Sequence, residues 1–265
     1  MLFSDVLGSM ARAGDLWTVK IEADWLQGRS AFGGLQAAIA LRAMRAIAPF
    51  HPLRVLQTTF IAPVPEGTAR VSARVLRSGK TTVHVEARIF DGESVAAVAI
   101  GIFGQSRPSE IRLMPRQAAL EAGPPPIDLR AAGGGFPAFL EHFQMRWLRG
   151  APPGSGLASP AAIVEVGLRD SAPATEAHVL ALADATPPIA LSMLKTRVPG
   201  SSLTWTLEML REGGDAALAE LPLSGWRLDV ELVAGGGGYT SQAETVWGPA
   251  GEPVALSRQC MVVFG

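Results

Sequence analysis

The sequence is nearly free of cysteine, because Cys260 is its single cysteine in 265 residues. One thiol excludes an internal disulfide framework and a cysteine-rich zinc site. Histidine is also scarce, and the four histidines (His51, His84, His142 and His178) are scattered without the spacing of a metal site. We therefore expect no metal and no cofactor. The low cysteine content fits a reducing compartment, and we expect a cytoplasmic protein.

An excess of charge and long apolar runs are missing as well. The chain has 23 Lys and Arg against 24 Asp and Glu, which gives a net charge of −1. This balance argues against a protein that binds nucleic acid or a membrane surface through bulk positive charge. The longest apolar run, residues 95–103, is too short to span a bilayer, and residues 1–13 lack the apolar core of a signal peptide. We therefore predict a soluble protein with neither nucleic acid nor membrane as a partner.

Apolar residues, in contrast, are abundant. Hydrophobic residues make up 48% of the chain and charged residues 18%, which is enough for a sizeable core. Apolar periodicity and turn residues predict the following elements: helices over 3–11, 35–47, 174–184 and from Pro187 onward, and strands over 16–21, 54–61, 69–78, 81–90, 95–103, 139–148, 162–169, 203–210, 225–233, 239–247 and 254–264. Residues 107–138 are rich in proline and glycine, which predicts a linker, with a short helix over 116–121.

The two halves of the chain resemble each other. Residues 71–90 match residues 228–247 without a gap, and Ile39–Met44 resembles Ile189–Leu194. We therefore predict an internal duplication, with an N-terminal repeat over 1–106, a linker over 107–138 and a C-terminal repeat over 139–265. The two repeats are expected to pack as a pseudo-dimer, since one twisted sheet around one helix leaves a face to cover.

One stretch of the second half combines an acid with an apolar helix pattern. Thr186 before Pro187 marks a helix start, and the apolar residues that follow predict a buried helix from Pro187 to Lys195. Asp184 stands two residues before that start. A carboxylate at the mouth of a buried helix needs a partner or a purpose, although a simple helix-capping role is the alternative.

Four short segments resemble the type II acyl-CoA thioesterase family: Phe32–Gln36, Ala183–Leu191, Ser201–Trp205 and Leu256–Met261. The resemblance implies an α+β fold, a double hotdog of two tandem hotdog repeats, each with a long central helix wrapped by an antiparallel sheet. It also implies an enzyme that hydrolyses acyl-CoA or a related acyl thioester. Since hotdog sheets usually pair further, a homodimer or a higher homo-oligomer is expected.

In the family that the chain resembles, an Asp, a Thr or Ser, and a Gln together hold a water molecule. Carried over by position, these roles fall on Asp184, Ser202 and Gln259, with Ser201 or Thr204 as the other candidates for the hydroxyl. A carboxylate can take the proton of the water, while a hydroxyl and an amide fix its orientation. The sequence thus predicts thioester hydrolysis without a covalent intermediate.

The first repeat is expected to contribute the backbone of Gly33, Gly34 and Leu35. We place the N–H groups of Gly34 and Leu35 opposite the site as oxyanion donors, because N–H groups at a helix start carry partial positive charge. In the sequence match, Gly34 takes the position of Asp184, while the positions of Ser202 and Gln259 fall near Arg54 and Val98. The three polar residues would then occur together only in the second repeat.

Two other functions compete with this prediction. A non-catalytic acyl-binding or assembly protein on the same fold would explain the apolar surroundings of Asp184. A hotdog hydratase would need a histidine paired with an acid at the helix start, and no histidine lies between Asp184 and Lys195. We therefore rank the hydratase last.

Overall fold

A computed structural model describes residues 1–49, 51–129 and 135–264. In these ranges the chain forms a thirteen-stranded antiparallel sheet and a separate pair of short strands. The strands are β1 (Ala11–Ala13), β2 (Leu16–Ile21), β3 (Leu26–Gln27), β4 (Ser30–Ala31), β5 (Leu53–Phe60), β6 (Gly67–Ser78), β7 (Thr82–Asp91), β8 (Ser94–Gly104), β9 (Ile127–Asp128), β10 (Phe143–Arg149), β11 (Ala161–Leu168), β12 (Gly200–Met209), β13 (Trp226–Gly236), β14 (Tyr239–Trp247) and β15 (Pro253–Val263).

Five α-helices accompany the sheet in the described ranges. They are α1 (Phe3–Gly8), α2 (Gly33–Arg45), α3 (Glu176–Ala183), α4 (Ala190–Met193) and α5 (Asp215–Leu218). Helix α2 is apolar on nearly every side, so it is buried along most of its length and packs against the strands β5–β8. In the described part of the chain, no helix is long and apolar enough to cross a bilayer.

The large sheet has the strand order β1-β2-β6-β7-β8-β5-β12-β15-β14-β13-β11-β10-β9. Strands β6, β7, β8 and β5 lie side by side in the N-terminal half, and β13, β14, β15 and β12 follow the mirrored order in the C-terminal half. The halves join where β5 pairs with β12, with Gln57 opposite Thr206 near the middle of the joint. The sheet is therefore continuous from one half of the chain to the other.

The two matched hairpins have the same register. Val71 pairs with Ile89 in β6–β7, and Leu228 pairs with Val246 in β13–β14. Each hairpin also shifts register at the corresponding place, after Val75 in one and after Leu232 in the other. Positions in the two halves can therefore be compared residue by residue from their pairing partners.

The helix predicted from Pro187 to Lys195 is wrong in its extent. Helix α4 spans four residues, and its last residue, Met193, is exposed. The consecutive Pro187 and Pro188 explain why the helix starts at Ala190 and not at Pro187, because the second proline restricts the backbone of the residue before it. The helix that packs against α2 is α3, so the sequence match between residues 39–44 and 189–194 does not pair the two packed helices.

Helices α2 and α3 lie antiparallel. At one end, Arg45 of α2 forms an ion pair with Glu176 of α3. At the other end, the first residues of α2 meet the last residues of α3, since a Cβ atom on Gly34 would lie 3.0 Å from the Cα atom of Ala181. Each end of this helix pair therefore brings together residues from both halves of the chain.

Three smaller predictions differ from the structure. Helix α1 ends at Gly8 and not at residue 11, and the segment 116–121 forms no helix. An exposed segment of six residues has too little packing to offset the cost of helix nucleation. The strand predicted from residue 139 begins at Phe143, because residues Ala138–His142 form a 3₁₀ turn. The other predicted strands agree with the observed ranges within three residues, and most of them within one or two, which is the usual uncertainty of element ends.

Candidate active site

Three predicted site residues come from three separate elements. Asp184 is the residue that caps the C-terminal end of α3. Ser202 lies on β12 and Gln259 on the inner face of β15, where Gln259 is 6% exposed. The register of β12 against β15 shifts between Ser202 and Thr204, and such an irregularity changes the direction of the side chains beside it.

The amide of Gln259 joins the three side chains. Its Nε2 atom donates to Asp184 Oδ1 at 2.7 Å and to Ser202 Oγ at 2.9 Å. Of the three candidate hydroxyl residues, Ser202 is therefore the one in contact with the group. Ser201 is exposed and its hydroxyl donates to the carbonyl of Ser202, while Thr204 is exposed.

Asp184 has a pKa near neutrality. Burial raises the pKa of this carboxyl from 3.8 to about 7, because the charged form loses solvation, while hydrogen bonds from Gln259 and the Gly34 backbone act in the opposite direction. The position at the C-terminal end of α3 disfavours the charged form further, since helix carbonyls there carry partial negative charge. A carboxyl with such a pKa can accept a proton at neutral pH and release it again.

The start of α2 approaches Asp184 closely because two glycines stand there. A Cβ atom on Gly33 would lie 2.6 Å from Asp184 Oδ2, so any larger residue would displace the carboxylate. Gly34 turns its backbone toward the same carboxylate and thus faces Asp184 across the helix pair. The side chain of Leu35 is fully buried in the core. The structure therefore brings Gly33 and Gly34 to the predicted site, and the role of the Gly34 and Leu35 N–H groups as oxyanion donors stays a prediction.

The position that corresponds to Gln259 in the N-terminal half is Gly101, and the prediction of Val98 is wrong. Gln259 pairs with Gln242 across β14–β15, and Gly101 pairs with Val85 across the matched strands β7–β8. The turn between β14 and β15 is longer than its counterpart, so counting along the sequence alone misplaces this strand.

The counterpart of Ser202 is Leu53, which directly precedes the predicted position near Arg54. Ser202 pairs with Met261 on β15, and Leu53 pairs with Phe103 on β8 just beside the same kind of register shift. Gly34 is no counterpart of Asp184, because Gly34 lies in the first turn of α2 whereas Asp184 follows the last residue of α3. The three polar residues still have no equivalent set in the N-terminal half.

Two cavities flank the three side chains. The first, here called the site cavity, has a volume of about 420 Å³ and is lined by Asp184, Ser202 and Gln259. The rest of its lining is largely apolar and includes Phe136, Phe139, Leu140, Pro187, Pro188 and Leu191. The second, here called the flanking cavity, has a volume of about 440 Å³ and includes Arg29, Gly33, Gln36, Phe60, Ser201 and Ser202. Both volumes are typical of small-molecule sites.

Sequence reasoning missed a row of buried polar residues beside the site. Gln242 accepts a hydrogen bond from the backbone N–H of Ile189 at 2.9 Å, and Ser257 accepts one from the indole of Trp205 at 2.9 Å. Glu244 lies between them on the same inner face, and burial together with the charge of Asp184 raises its pKa well above its usual value. The alternation of Thr240, Gln242 and Glu244 in the sequence was the available signal.

Comparison with known proteins decides the family. Residues 21–104 match the family model of the acyl-CoA thioesterase N-terminal domain, and residues 115–263 match that of the acyl-CoA thioesterase C-terminal domain. The chain belongs to the acyl-CoA thioesterase family. This thioesterase is a thioester hydrolase, and the family resemblance of its short segments is confirmed.

Solved structures share the fold of this thioesterase. A protein with a hotdog fold from Alicyclobacillus acidocaldarius is 20% identical, with a TM-score of 0.86, and the match covers 99% of this chain and 98% of the other. The tesB protein of Mycobacterium avium subspecies paratuberculosis is 15% identical, with a TM-score of 0.78 and all of both chains covered. Acyl-CoA thioesterase II TesB2 of Mycobacterium marinum is 17% identical, with a TM-score of 0.73 and coverage of 100% and 97%. No curated protein sequence matches the chain.

Proposed function

We propose that this thioesterase hydrolyses acyl-CoA by direct attack of a water molecule held by Asp184, Ser202 and Gln259. The observation that supports the proposal is the contact of Gln259 Nε2 with both Asp184 and Ser202 at the wall of a largely apolar cavity. We further propose that the hotdog fold is present as two tandem repeats, over 1–106 and 139–265, packed as a pseudo-dimer around the β5–β12 joint. The matched registers and the mirrored strand order support this arrangement.

The hydrogen bonds support a separate role for each group. Both amide hydrogens of Gln259 are used, one toward Asp184 and one toward Ser202, so the amide fixes the other two side chains. Because Ser202 Oγ accepts from Gln259, its own hydroxyl proton is free to donate to the water or to the thioester oxygen. Asp184 is then the general base for the water, with Oδ2 as the second carboxylate oxygen beside the Gly33 backbone.

In the proposed reaction, Asp184 carries one proton from the attacking water to the leaving thiolate. Asp184 takes a proton from the water as its oxygen bonds to the thioester carbonyl carbon, which gives a tetrahedral intermediate. Ser202 and the partly positive N-terminal end of α2 stabilise the negative oxygen of that intermediate. The carbon–sulfur bond then breaks, Asp184 returns its proton to the leaving thiolate, and the products are a carboxylic acid and CoA.

The test of the proposal is release of free thiol from a panel of acyl-CoA substrates. Asp184→Asn is expected to lower kcat by about 10²–10⁴-fold, because the amide cannot accept the water proton. Gln259→Ala is expected to lose about 10²-fold, because the water and Ser202 lose their orientation.

A matched pair of serine variants serves as the control. Ser202→Ala should lower kcat, whereas Ser201→Ala should lower it far less, since Ser201 is exposed and its hydroxyl donates to the Ser202 carbonyl and not to the site group. Full activity in Asp184→Asn, with folding shown by circular dichroism, would remove the mechanism. Binding of a non-hydrolysable acyl-CoA without thiol release from any substrate would instead favour the acyl-binding or assembly protein. The homo-oligomeric state stays a prediction.

A further inference from the structure

We propose that Leu140 limits the length of the acyl chain that the enzyme accepts, by separating the site cavity from a second cavity behind it. The inference rests on the proposed function, because it assumes that the acyl chain occupies the site cavity. That cavity suits an acyl chain better than the flanking cavity does, since it contains all three site residues and is walled by aromatic, leucine and proline side chains.

The second cavity, here called the distal cavity, has a volume of about 270 Å³. Its apolar side is formed by Leu129, Leu140, Phe143, Met145 and Val166, and the rest of its lining includes the polar and charged residues Asp128, Gln144, Arg146, Glu165 and Arg169. Leu140 is the one described residue that lines both this cavity and the site cavity. Its side chain is 6% exposed and thus forms a shared wall.

The wall is held in place by aromatic packing. Leu140 belongs to the 3₁₀ turn Ala138–His142, and the ring of Phe139 in the same turn stacks on Phe32 with centroids 4.1 Å apart. Phe143 directly after the turn packs edge-on against both rings, with centroids 5.7 and 5.8 Å away. Since packed aromatic side chains relax little, removal of the Leu140 side chain should leave an opening and not a collapsed core.

An opening at this place has a specific consequence for substrate choice. A longer acyl chain could pass from the site cavity into the distal cavity, where its terminal methylene groups would lie against the apolar side formed by Leu129, Phe143 and Met145, and apolar contact favours binding. A larger side chain at the same position would shorten the site cavity. Substitutions at Leu140 should therefore move the preferred chain length in opposite directions, which a general loss of stability cannot do.

The test compares kcat/KM for octanoyl-CoA and palmitoyl-CoA. Relative to the wild type, Leu140→Ala should raise the ratio of palmitoyl-CoA to octanoyl-CoA by about tenfold or more, and Leu140→Phe should lower it by a similar factor. Leu129→Ala is the matched control, because Leu129 is equally buried, with 5% exposure, and lines only the distal cavity. That variant should keep the wild-type ratio.

The outcomes test the proposed function and the role of Leu140 separately. A wild type that releases no thiol from any acyl-CoA contradicts the proposed function. An active wild type with an unchanged ratio in both Leu140 variants overturns the role of Leu140 while the proposed function stands. An equal shift in Leu129→Ala also overturns it, since loosening alone would then suffice. Should Leu140→Ala fail to fold, Leu140→Val and Leu140→Phe carry the comparison.

Discussion

The inner faces of the two halves have the same strands and opposite chemistry. Strands β14 and β15 bury polar residues at four positions where the matched strands β7 and β8 bury apolar residues or glycine: Gln242 against Val85, Glu244 against Ala87, Ser257 against Ala99, and Gln259 against Gly101. Buried polar side chains cost free energy of folding unless they are well paired. The N-terminal half shows that the same strands form with small apolar residues at these positions. The polar face of the C-terminal half therefore needs a functional reason, and the contact with Asp184 provides one.

The two ends of the α2–α3 pair show the same contrast. At one end, Asp184 faces the site cavity and accepts hydrogen bonds from two neutral groups, the Gln259 amide and the Gly34 backbone. At the other end, the buried Glu176 pairs with Arg45 and accepts the backbone N–H of Leu53 at 2.7 Å. Glu176 also lies at the N-terminal end of α3, where the helix dipole favours a negative charge, whereas Asp184 lies at the unfavourable end. Burial raises the pKa of both carboxyls, but Glu176 has a cation and a backbone N–H group as partners, whereas the hydrogen-bond partners of Asp184 are neutral.

Removal of Glu176 would break this comparison most strongly. Glu176→Ala leaves Arg45 without its buried partner and the Leu53 N–H without an acceptor, so the free energy of unfolding should fall by about 3 kcal/mol. Urea denaturation measures the change. Glu86→Ala is the matched control in the N-terminal half, because the Glu86 pairs with Arg74 and Arg88 lie at the surface and should cost less than about 1 kcal/mol. Equal losses in the two variants would contradict a special role for the Glu176 end.

The pH dependence of the wild type sharpens the comparison at the Asp184 end. Asp184 must be ionised to accept a proton, and its pKa is about 7, so kcat/KM should fall tenfold for each pH unit below that value. The loss at pH 5 would be roughly a hundredfold, or about 2.7 kcal/mol. Initial rates between pH 5 and pH 9 measure it, with circular dichroism at each pH to show that the protein stays folded. A rate that stays constant down to pH 5 would exclude Asp184 as a general base with a raised pKa.

The sequence predicted the strands well and the relation between the two halves less well. Hairpins such as β6–β7 follow from alternation and turn residues, which are local properties. The counterparts of Ser202 and Gln259 depend on a register shift and on a longer turn, and these are fixed by pairing with another strand. Resemblance in short segments predicted the three candidate site residues but not Glu244, which becomes notable only once its burial is known.

Glu244 provides the smallest test, since it concerns stability and not catalysis. Burial raises its pKa in the folded state. Between the ordinary pKa of a glutamate and this raised pKa, the folded state keeps a proton that the unfolded state has released. Stability is therefore lost as the pH rises through this range. Glu244→Gln has no charge to bury and should be more stable than the wild type at pH 9, by about 1 kcal/mol or a few degrees in Tm. The advantage should shrink as the pH falls toward 4, where both side chains are neutral. Glu231→Gln, on the exposed face of the neighbouring strand β13, should show no such trend. A Glu244→Gln variant less stable than the wild type at pH 9 would mean that the carboxylate has a stabilising partner. The polar residues on the inner face of the C-terminal half would then stabilise the fold, and no functional site would be needed to explain them.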